Sequence, residues 1–166
     1  MKVIPHSEAM VRKARKWSKE IGSLKNSITS GKGNLGGRVG EIAFASYVGA
    51  DIADDYNYDL ILNGEKIEIK TKRRTVAPKG NYEVSVATTS LHQKPDRYVF
   101  ISVEFKRKKG FNYYGLQNVW LCGDMKAKEY LEKSWVYKKG DMDESNKFVT
   151  LVDMHNLSID KLDQSF

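Results

Sequence analysis

Two carboxylates and an amine flank a predicted β-turn: Asp59 precedes the dipeptide Asn63-Gly64, and Glu68 and Lys70 follow it. Asn-Gly is the strongest short-range signal for a two-residue type I′ turn, because both positions need a positive φ. The turn predicts a hairpin with Asp59 directly opposite Glu68, their Cβ atoms about 5 Å apart. Asp59, Glu68 and Lys70 would then share one face of the ribbon, while Leu60, Leu62, Ile67 and Ile69 form the other.

This pair of carboxylates has the chemistry of a site for a hard divalent cation. Two carboxylates so close repel each other and raise each other's pKa unless a cation lies between them. Oxygen ligands without a cluster of Cys or His favour Mg²⁺ or Mn²⁺ over zinc. The alternative is a structural cross-strand ion-pair group completed by Lys66 and Lys70.

Acidic-x-Lys triplets occur three times, so the triplet alone does not identify a site. The other two are Glu104-Phe105-Lys106 and Asp124-Met125-Lys126. Asp96 precedes the first of these, but on one nearly continuous strand it would lie roughly 26 Å from Glu104. Asp124 is predicted to open a helix, where an acidic residue is favoured. Only at Glu68 does a preceding turn place a second carboxylate, that of Asp59, on the same face of the ribbon as the triplet.

The elements around this hairpin follow an α/β pattern. Helices are predicted over 7–21, from about 37 to 48 and over 124–133; strands are predicted over 82–87, 97–105, 113–121 and 147–153; a basic loop is predicted over 73–81. The segment 97–105 is apolar on both faces and is expected at the centre of the sheet. This order predicts a mixed central β-sheet flanked by helices, preceded by an N-terminal basic helix.

Glu41 is a further candidate because of its place on the second predicted helix. Gly37 and Ala45 lie one turn before and after it, and small residues on that strip allow a close approach to the sheet. The alternative is a glutamate that faces solvent.

The positive charge is concentrated at the N-terminus. Residues 1–40 hold nine lysines and arginines against two acidic residues, which accounts for the whole net charge of +7. Such a basic segment on a neutral body is typical of a protein that binds a polyanion. Its alternative is a solvated helix face. The candidate contacts here are Arg12, Lys13, Arg15, Lys16, Lys32 and Arg38.

Composition limits the class of protein. A chain of 166 residues, 40% of them hydrophobic, is expected to form one structural domain. Its single cysteine, Cys122, excludes an intramolecular disulfide and a cysteine-rich zinc site. No apolar run predicts a membrane span or a signal peptide. We therefore expect a cytoplasmic protein, or one in the host-cell cytoplasm if the chain is viral, and no secretion.

Glu41 in a helix, then Asp59, a hairpin and Glu68-Ile69-Lys70 resemble the PD-(D/E)XK, or restriction-endonuclease-like, nuclease superfamily over residues 37–105. The chain departs from the usual pattern at Tyr58, where a proline commonly precedes the first acidic residue. The resemblance implies a restriction-endonuclease-like core within a nuclease domain at 37–166. Residues 1–36 would form the basic helix and a flexible connection.

The resemblance also implies a role for each site residue. Asp59 and Glu68 would ligate the metal together with the backbone carbonyl of Ile69, and Glu41 would be a further ligand, direct or through water. Lys70 would orient or help deprotonate the attacking water. Gln93, with Thr88 as its alternative, would be an accessory polar residue. The remaining phosphate contacts would come from Lys72, Arg73, Arg74 and Lys79.

The expected function is therefore that of a Mg²⁺-dependent DNA endonuclease, with Mn²⁺ as a substitute. A restriction or homing-type enzyme, a nickase and a Holliday-junction resolvase remain open as subtypes. One small domain cuts one strand, so cutting both strands would need a homodimer or two sequential nicks. The alternatives are a non-catalytic nucleic-acid-binding protein that retains the nuclease fold, and a structural or small-molecule α/β domain.

Overall fold

The protein is an α/β structure. The computed structural model describes residues 1–21, 34–53, 55–107, 114–143 and 148–166. The helices within these residues are α1 (Glu8–Ile21), α2 (Asn34–Val48) and α3 (Ala127–Lys133). The strands are β1 (Lys2–Ile4), β2 (Leu60–Leu62), β3 (Glu65–Arg74), β4 (Glu83–Ala87), β5 (Arg97–Arg107), β6 (Tyr114–Lys126), β7 (Trp135–Tyr137), β8 (Met142–Asp143), β9 (Phe148–Val149) and β10 (Met154–Ser158). In the described part of the chain, no helix is both long and apolar enough to span a membrane.

The central sheet has five strands in the order β1-β6-β5-β3-β2. Strands β3 and β5 are parallel, while the other neighbouring pairs are antiparallel. The predicted mixed sheet is therefore confirmed, and so is the central position of the strand that begins at Arg97. A second sheet has the order β4-β10-β7, and β8 pairs with β9.

Each face of the central sheet carries its own apolar core. On one face, Ile67 and Ile69 of β3 pack with Val99 of β5 and with residues of α1 and α2. On the other face, Tyr98 and Phe100 pack with α3 and with strands β4 and β10. Residues of β3 alternate between these faces, so Glu68 and Lys70 lie on the side away from the two long helices.

The predicted hairpin is present. Asn63 and Gly64 have φ values of 52° and 80°, and Leu62 pairs with Glu65, Ile61 with Lys66 and Leu60 with Ile67. The two-residue loop therefore sets the register of β2 and β3 as the sequence indicates. Leu60, Ile67 and Ile69 are buried on the helix side, and Leu62 packs against them.

The N-terminal segment is more closely tied to the sheet than the sequence predicts. Strand β1 has no counterpart among the predicted elements; it pairs with β6, placing Ile4 opposite Val119. Three residues are too few to show strand periodicity, so only the distant partner reveals it. Helix α1 is present within the predicted range, and its Val11 and Ala14 are buried in the core. The sequence predicts a polar connection over residues 23–37, but α2 already begins at Asn34, before the predicted start near residue 37. Residues 22–33 lie outside the described part of the chain.

Two predictions near the C-terminal half are wrong. Asp124 does not open a helix: β6 continues to Lys126, because the Asp124 carboxylate is buried against Arg97 and its backbone pairs with Asp163. The terminal strand lies at Met154–Ser158 instead of 147–153. There, Asn156 is buried and donates to the Glu83 carboxylate, so a polar residue occupies a position where burial would favour an apolar one.

Helix α2 crosses the sheet at unusually short range. A Cβ built on Gly40 would lie 2.2 Å from Thr71 Oγ1 and 3.1 Å from Thr71 Cγ2. A Cβ on Gly36 would lie 3.4 Å from Val103. The close approach therefore runs through Gly36 and Gly40, and not through the Gly37 strip that the sequence indicates.

We expect Gly40→Ala to lower the free energy of unfolding by about 1–3 kcal/mol, because both branches of Thr71 obstruct the added methyl group. Gly37→Ala is the matched control, since its Cβ would meet only Glu41 Oε1, at 3.8 Å. Alanine's better helix propensity should leave Gly37→Ala neutral or up to about 1 kcal/mol more stable. Urea unfolding of both variants measures this, and equal stabilities would contradict the close packing.

Candidate active site

Asp59 contacts β3 through its side chain. The regular pairing of the hairpin ends at Leu60 and Ile67, one pair short of the predicted Asp59–Glu68 pair. The Asp59 amide donates to the Ile67 carbonyl at 2.9 Å, and the Ile69 amide donates to Asp59 Oδ2 at 2.7 Å. The carboxylate thus takes the place of a backbone acceptor and is fixed at the edge of β3, close to Glu68.

Lys70 lies between two partners on the same side of the sheet. Its Nζ donates to Glu68 Oε1 at 2.7 Å and to Gln93 Oε1 at 3.2 Å. Gln93 ends a 3₁₀ helix at Thr88–Gln93 that follows β4, and its Nε2 donates to the Tyr56 carbonyl at 3.0 Å. The structure therefore places the predicted accessory residue Gln93 against Lys70. Thr88, its alternative, is exposed at the start of the same helix.

Glu41 reaches this region from α2. Its side chain is 12% exposed and pairs with Arg38 at 2.5 Å, and it interacts electrostatically with Asp59, Glu68 and Lys70. Arg38 in turn lies over the Trp17 ring, 4.2 Å from its centroid. The alternative of a solvent-facing glutamate therefore does not describe Glu41. Its position follows from the close crossing of α2 over β3.

The electrostatics of the site are dominated by three carboxylates. Burial raises the pKa of Asp59 well above its usual range, and the nearby charges of Glu41 and Glu68 raise it further. The Ile69 amide and Lys70 offset part of this effect. Burial also raises the pKa of Glu41, while Arg38 acts in the opposite direction. If all three carboxylates are ionised, they carry one more negative charge than Arg38 and Lys70 offset, and the raised pKa values are the consequence of that imbalance and of burial.

The donor set fits a hard divalent cation, although the carboxylates are turned toward protein partners. As placed, the described residues include no group of three or more His, Cys, Asp or Glu side chains that could hold a metal ion. Within the same residues, Asp59 Oδ1, Glu68 Oε2 and Glu41 Oε1 each lack a hydrogen-bond partner. Three oxygen donors with surplus negative charge are suited to Mg²⁺ or Mn²⁺. The predicted ligand roles, including that of the Ile69 carbonyl, stay predictions.

Most of the predicted nucleic-acid contacts fall into two groups, whereas Arg38 pairs with Glu41 and lies over the Trp17 ring. Those on α1 are exposed, namely Arg12, Lys13, Arg15 and Lys16. Lys79 and Arg73 are exposed as well, and the Arg73 guanidinium lies over the Phe105 ring. Lys32 lies outside the described residues. The structure thus shows that these side chains are accessible to solvent, and their contact with nucleic acid stays a prediction.

Lys72 and Arg74 are placed differently, because β3 extends to Arg74 where the sequence predicts a loop from residue 73. The Arg74 side chain donates to Ser102 Oγ at 3.1 Å and to the Glu83 carbonyl at 3.0 Å. Burial lowers the pKa of Lys72 to about 8. Both side chains are half-buried, and their contacts join the central sheet to β4.

Sequence reasoning missed two residues at the edge of the site. Tyr56 is linked to Lys70 through Gln93, and its ring stacks on His92 with centroids 5.4 Å apart. His92 is next to Gln93 in sequence, but nothing in the sequence links either residue to Tyr56. Gln93 and Tyr56 are 37 residues apart in the sequence, so only the folded chain brings them into contact.

The raised pKa of Asp59 has a consequence for stability. A carboxyl group whose pKa is higher in the folded state stabilises the fold below its unfolded pKa, about 3.9. That stabilisation is lost as the pH rises through the folded value. We expect Asp59→Asn to be more stable than the wild type at pH 7, because the neutral amide avoids the cost of a charged carboxylate beside Glu41 and Glu68.

The test is urea unfolding of both proteins from pH 4 to pH 8 in EDTA. The difference between them should grow with pH, and the amide oxygen that the Asp59→Asn variant carries can still accept from Ile69. A variant less stable than the wild type at pH 7 would show that burial and the neighbouring carboxylates do not destabilise the charged form of Asp59.

The chain shows no match to a protein-family model, to a curated protein or to a solved structure. Its distinguishing arrangement is a hairpin that holds Asp59 and Glu68 beside Lys70, with Glu41 added from a helix and Gln93 from a short 3₁₀ turn.

Proposed function

We propose that this protein is a metal-dependent DNA endonuclease with a restriction-endonuclease-like core. The observation that carries the proposal is the convergence of Asp59, Glu68, Lys70 and Glu41 at one end of the central sheet. Residues that only formed surface ion pairs would not need a half-buried carboxylate with two like charges beside it. Surplus negative charge next to a held lysine is instead typical of a site for a cation and a phosphate group.

Lys70 is the residue that acts on the nucleophile. An ammonium group has three N–H donors, and Glu68 and Gln93 accept two of those of Lys70. The third can point to a water molecule or to a phosphate oxygen. Because Gln93 and Glu68 fix the direction of the side chain, Lys70 would hold the attacking water in line with the phosphorus atom.

The carboxylates are the groups that would hold the metal. Asp59 is anchored through Oδ2, so Oδ1 can bind a cation, with Glu68 beside it and Glu41 as the outer donor. The chemistry that Mg²⁺ or Mn²⁺ supplies when bound is a lower pKa for coordinated water and neutralisation of charge on the phosphate. Arg38 would then keep Glu41 in place.

The exposed cations of α1 support DNA as the partner. Val11 and Ala14 fix the helix in the core, while Arg12, Lys13 and Arg15 remain exposed. The helix also contacts the site indirectly, because Trp17 lies against Arg38, the partner of Glu41. A phosphate backbone bound along α1 would thus lead toward the carboxylates.

We expect Lys70→Ala to lower Mg²⁺-dependent cleavage by at least about 100-fold, because the oriented proton donor or acceptor is lost. Cleavage of supercoiled plasmid, linear duplex, single-stranded DNA, RNA and a four-way junction measures this and also selects the subtype. The matched control is Lys126→Ala, which removes the lysine of a rival acidic-x-Lys triplet and only a surface pair with Glu65. Undiminished cleavage by Lys70→Ala would contradict the assignment.

Metal binding can be tested without activity. With Mg²⁺ at ten times its dissociation constant, the wild type should gain about 1.4 kcal/mol. For a chain of this size that corresponds to a rise of about 3–6 °C in Tm. Asp59→Asn should lose the rise, whereas Glu65→Gln, which alters a hairpin carboxylate paired with Arg97, should keep it. No rise in the wild type with either Mg²⁺ or Mn²⁺ would rule out the site.

A further inference from the structure

Tyr56 and His92 form an aromatic pair at the rim of the candidate site. Their ring centroids are 5.4 Å apart and the planes differ by 24°, a stacked arrangement. Tyr56 is 69% exposed, so the pair does not contribute a buried contact to either core. The His92 ring is oriented by a 2.8 Å contact between Nδ1 and the Thr89 carbonyl.

The pair is connected to Lys70 of the candidate site by hydrogen bonds through Gln93. Gln93 accepts from Lys70 through Oε1 and donates through Nε2 to the Tyr56 carbonyl. The turn that presents Tyr56 is also closed locally, since Asp55 Oδ1 accepts from the Asn57 amide at 2.7 Å. Gln93 is thus the single side chain between the Lys70 ammonium and the backbone of Tyr56, so one nucleic-acid strand can reach both residues.

We propose that Tyr56, supported by His92, is a stacking platform for an unpaired base of the strand whose phosphate is held at Lys70. This inference rests on the proposed function and names its substrate class: nucleic acid with an unpaired nucleotide beside the scissile bond. Every base has a π-face, so such a platform binds unpaired bases with little sequence preference. A fully paired duplex keeps its bases stacked on each other and does not offer a free face.

The unpaired base can come from a single strand or from a branched duplex, and the experiment separates the two. Three oligonucleotides carry 2-aminopurine near the expected cleavage position: a single strand, a duplex with a splayed arm and a fully paired duplex. Binding is measured in EDTA, so that no cleavage occurs. The wild type and Tyr56→Phe should quench the fluorescence of the first, the second or both, but not that of the paired duplex.

Tyr56→Ala should remove the quenching and weaken binding of the quenched substrate about 5- to 150-fold, the range of one base–aromatic contact. His92→Ala should weaken it in the same direction. The control is Trp135→Ala, which alters an exposed aromatic residue of β7 and should change neither quantity. Quenching and affinity that are the same in Tyr56→Ala and the wild type would overturn the platform.

The outcome is separable from that of the proposed endonuclease. If the wild type cuts DNA in Mg²⁺ while Tyr56→Ala binds and quenches normally, the platform is wrong and the nuclease stands. If the wild type cuts nothing but shows quenching that depends on Tyr56, the platform stands and the nuclease is wrong.

Discussion

The candidate site depends on one constraint, because it brings the Asp59, Glu41 and Glu68 carboxylates close enough to repel each other. Carboxylates placed this close are stable only if the scaffold is rigid and if cations face them from more than one side. Lys70 and Arg38 supply that charge from β3 and from α2. The Ile69 amide adds a directed hydrogen bond to the half-buried Asp59 carboxylate. Each of these groups comes from a different backbone position, so the site exists only when helix and sheet are packed together.

Strand β3 satisfies this constraint because one of its faces packs in the core and the other carries the charged residues of the site. Ile67 and Ile69 anchor the strand beneath the helices, while Glu68 and Lys70 alternate with them and emerge on the other side. A shift of register by one residue would exchange these faces. The two-residue turn, with positive φ values at Asn63 and Gly64, sets the register against such a shift. The absence of a side chain at Gly40 lets α2 approach the sheet closely, which brings Glu41 near Asp59 and Glu68.

Three features could be predicted from the sequence because local residues determine them: the hairpin, the central strand at Arg97, and the nearness of Asp59 to Glu68. A two-residue turn and the pattern of apolar residues are sufficient for these. Contacts between distant segments could not be predicted in this way. Three residues of β1 carry no periodicity, and Asn156 is polar although it is buried beside Glu83. The bond of Asp59 to the Ile69 amide replaces a regular strand pair, an irregularity without a sequence signal. Gln93 is a candidate from its residue type alone, but its contact with Lys70 depends on how the 3₁₀ helix folds back.

The pairing of β1 with β6 also bears on how the chain folds during synthesis. Ile4 and Val119 are more than a hundred residues apart, so the N-terminal strand has no partner until most of the chain has left the ribosome. Contacts of such long sequence separation close late and slow the search for the native state. Helix α1 does not depend on that partner, because it packs on α2, where Arg38 lies over the Trp17 ring. A chain released before β6 is complete would therefore hold the cationic helix beside the carboxylates but would lack the β1 pairing that fixes the segment preceding that helix.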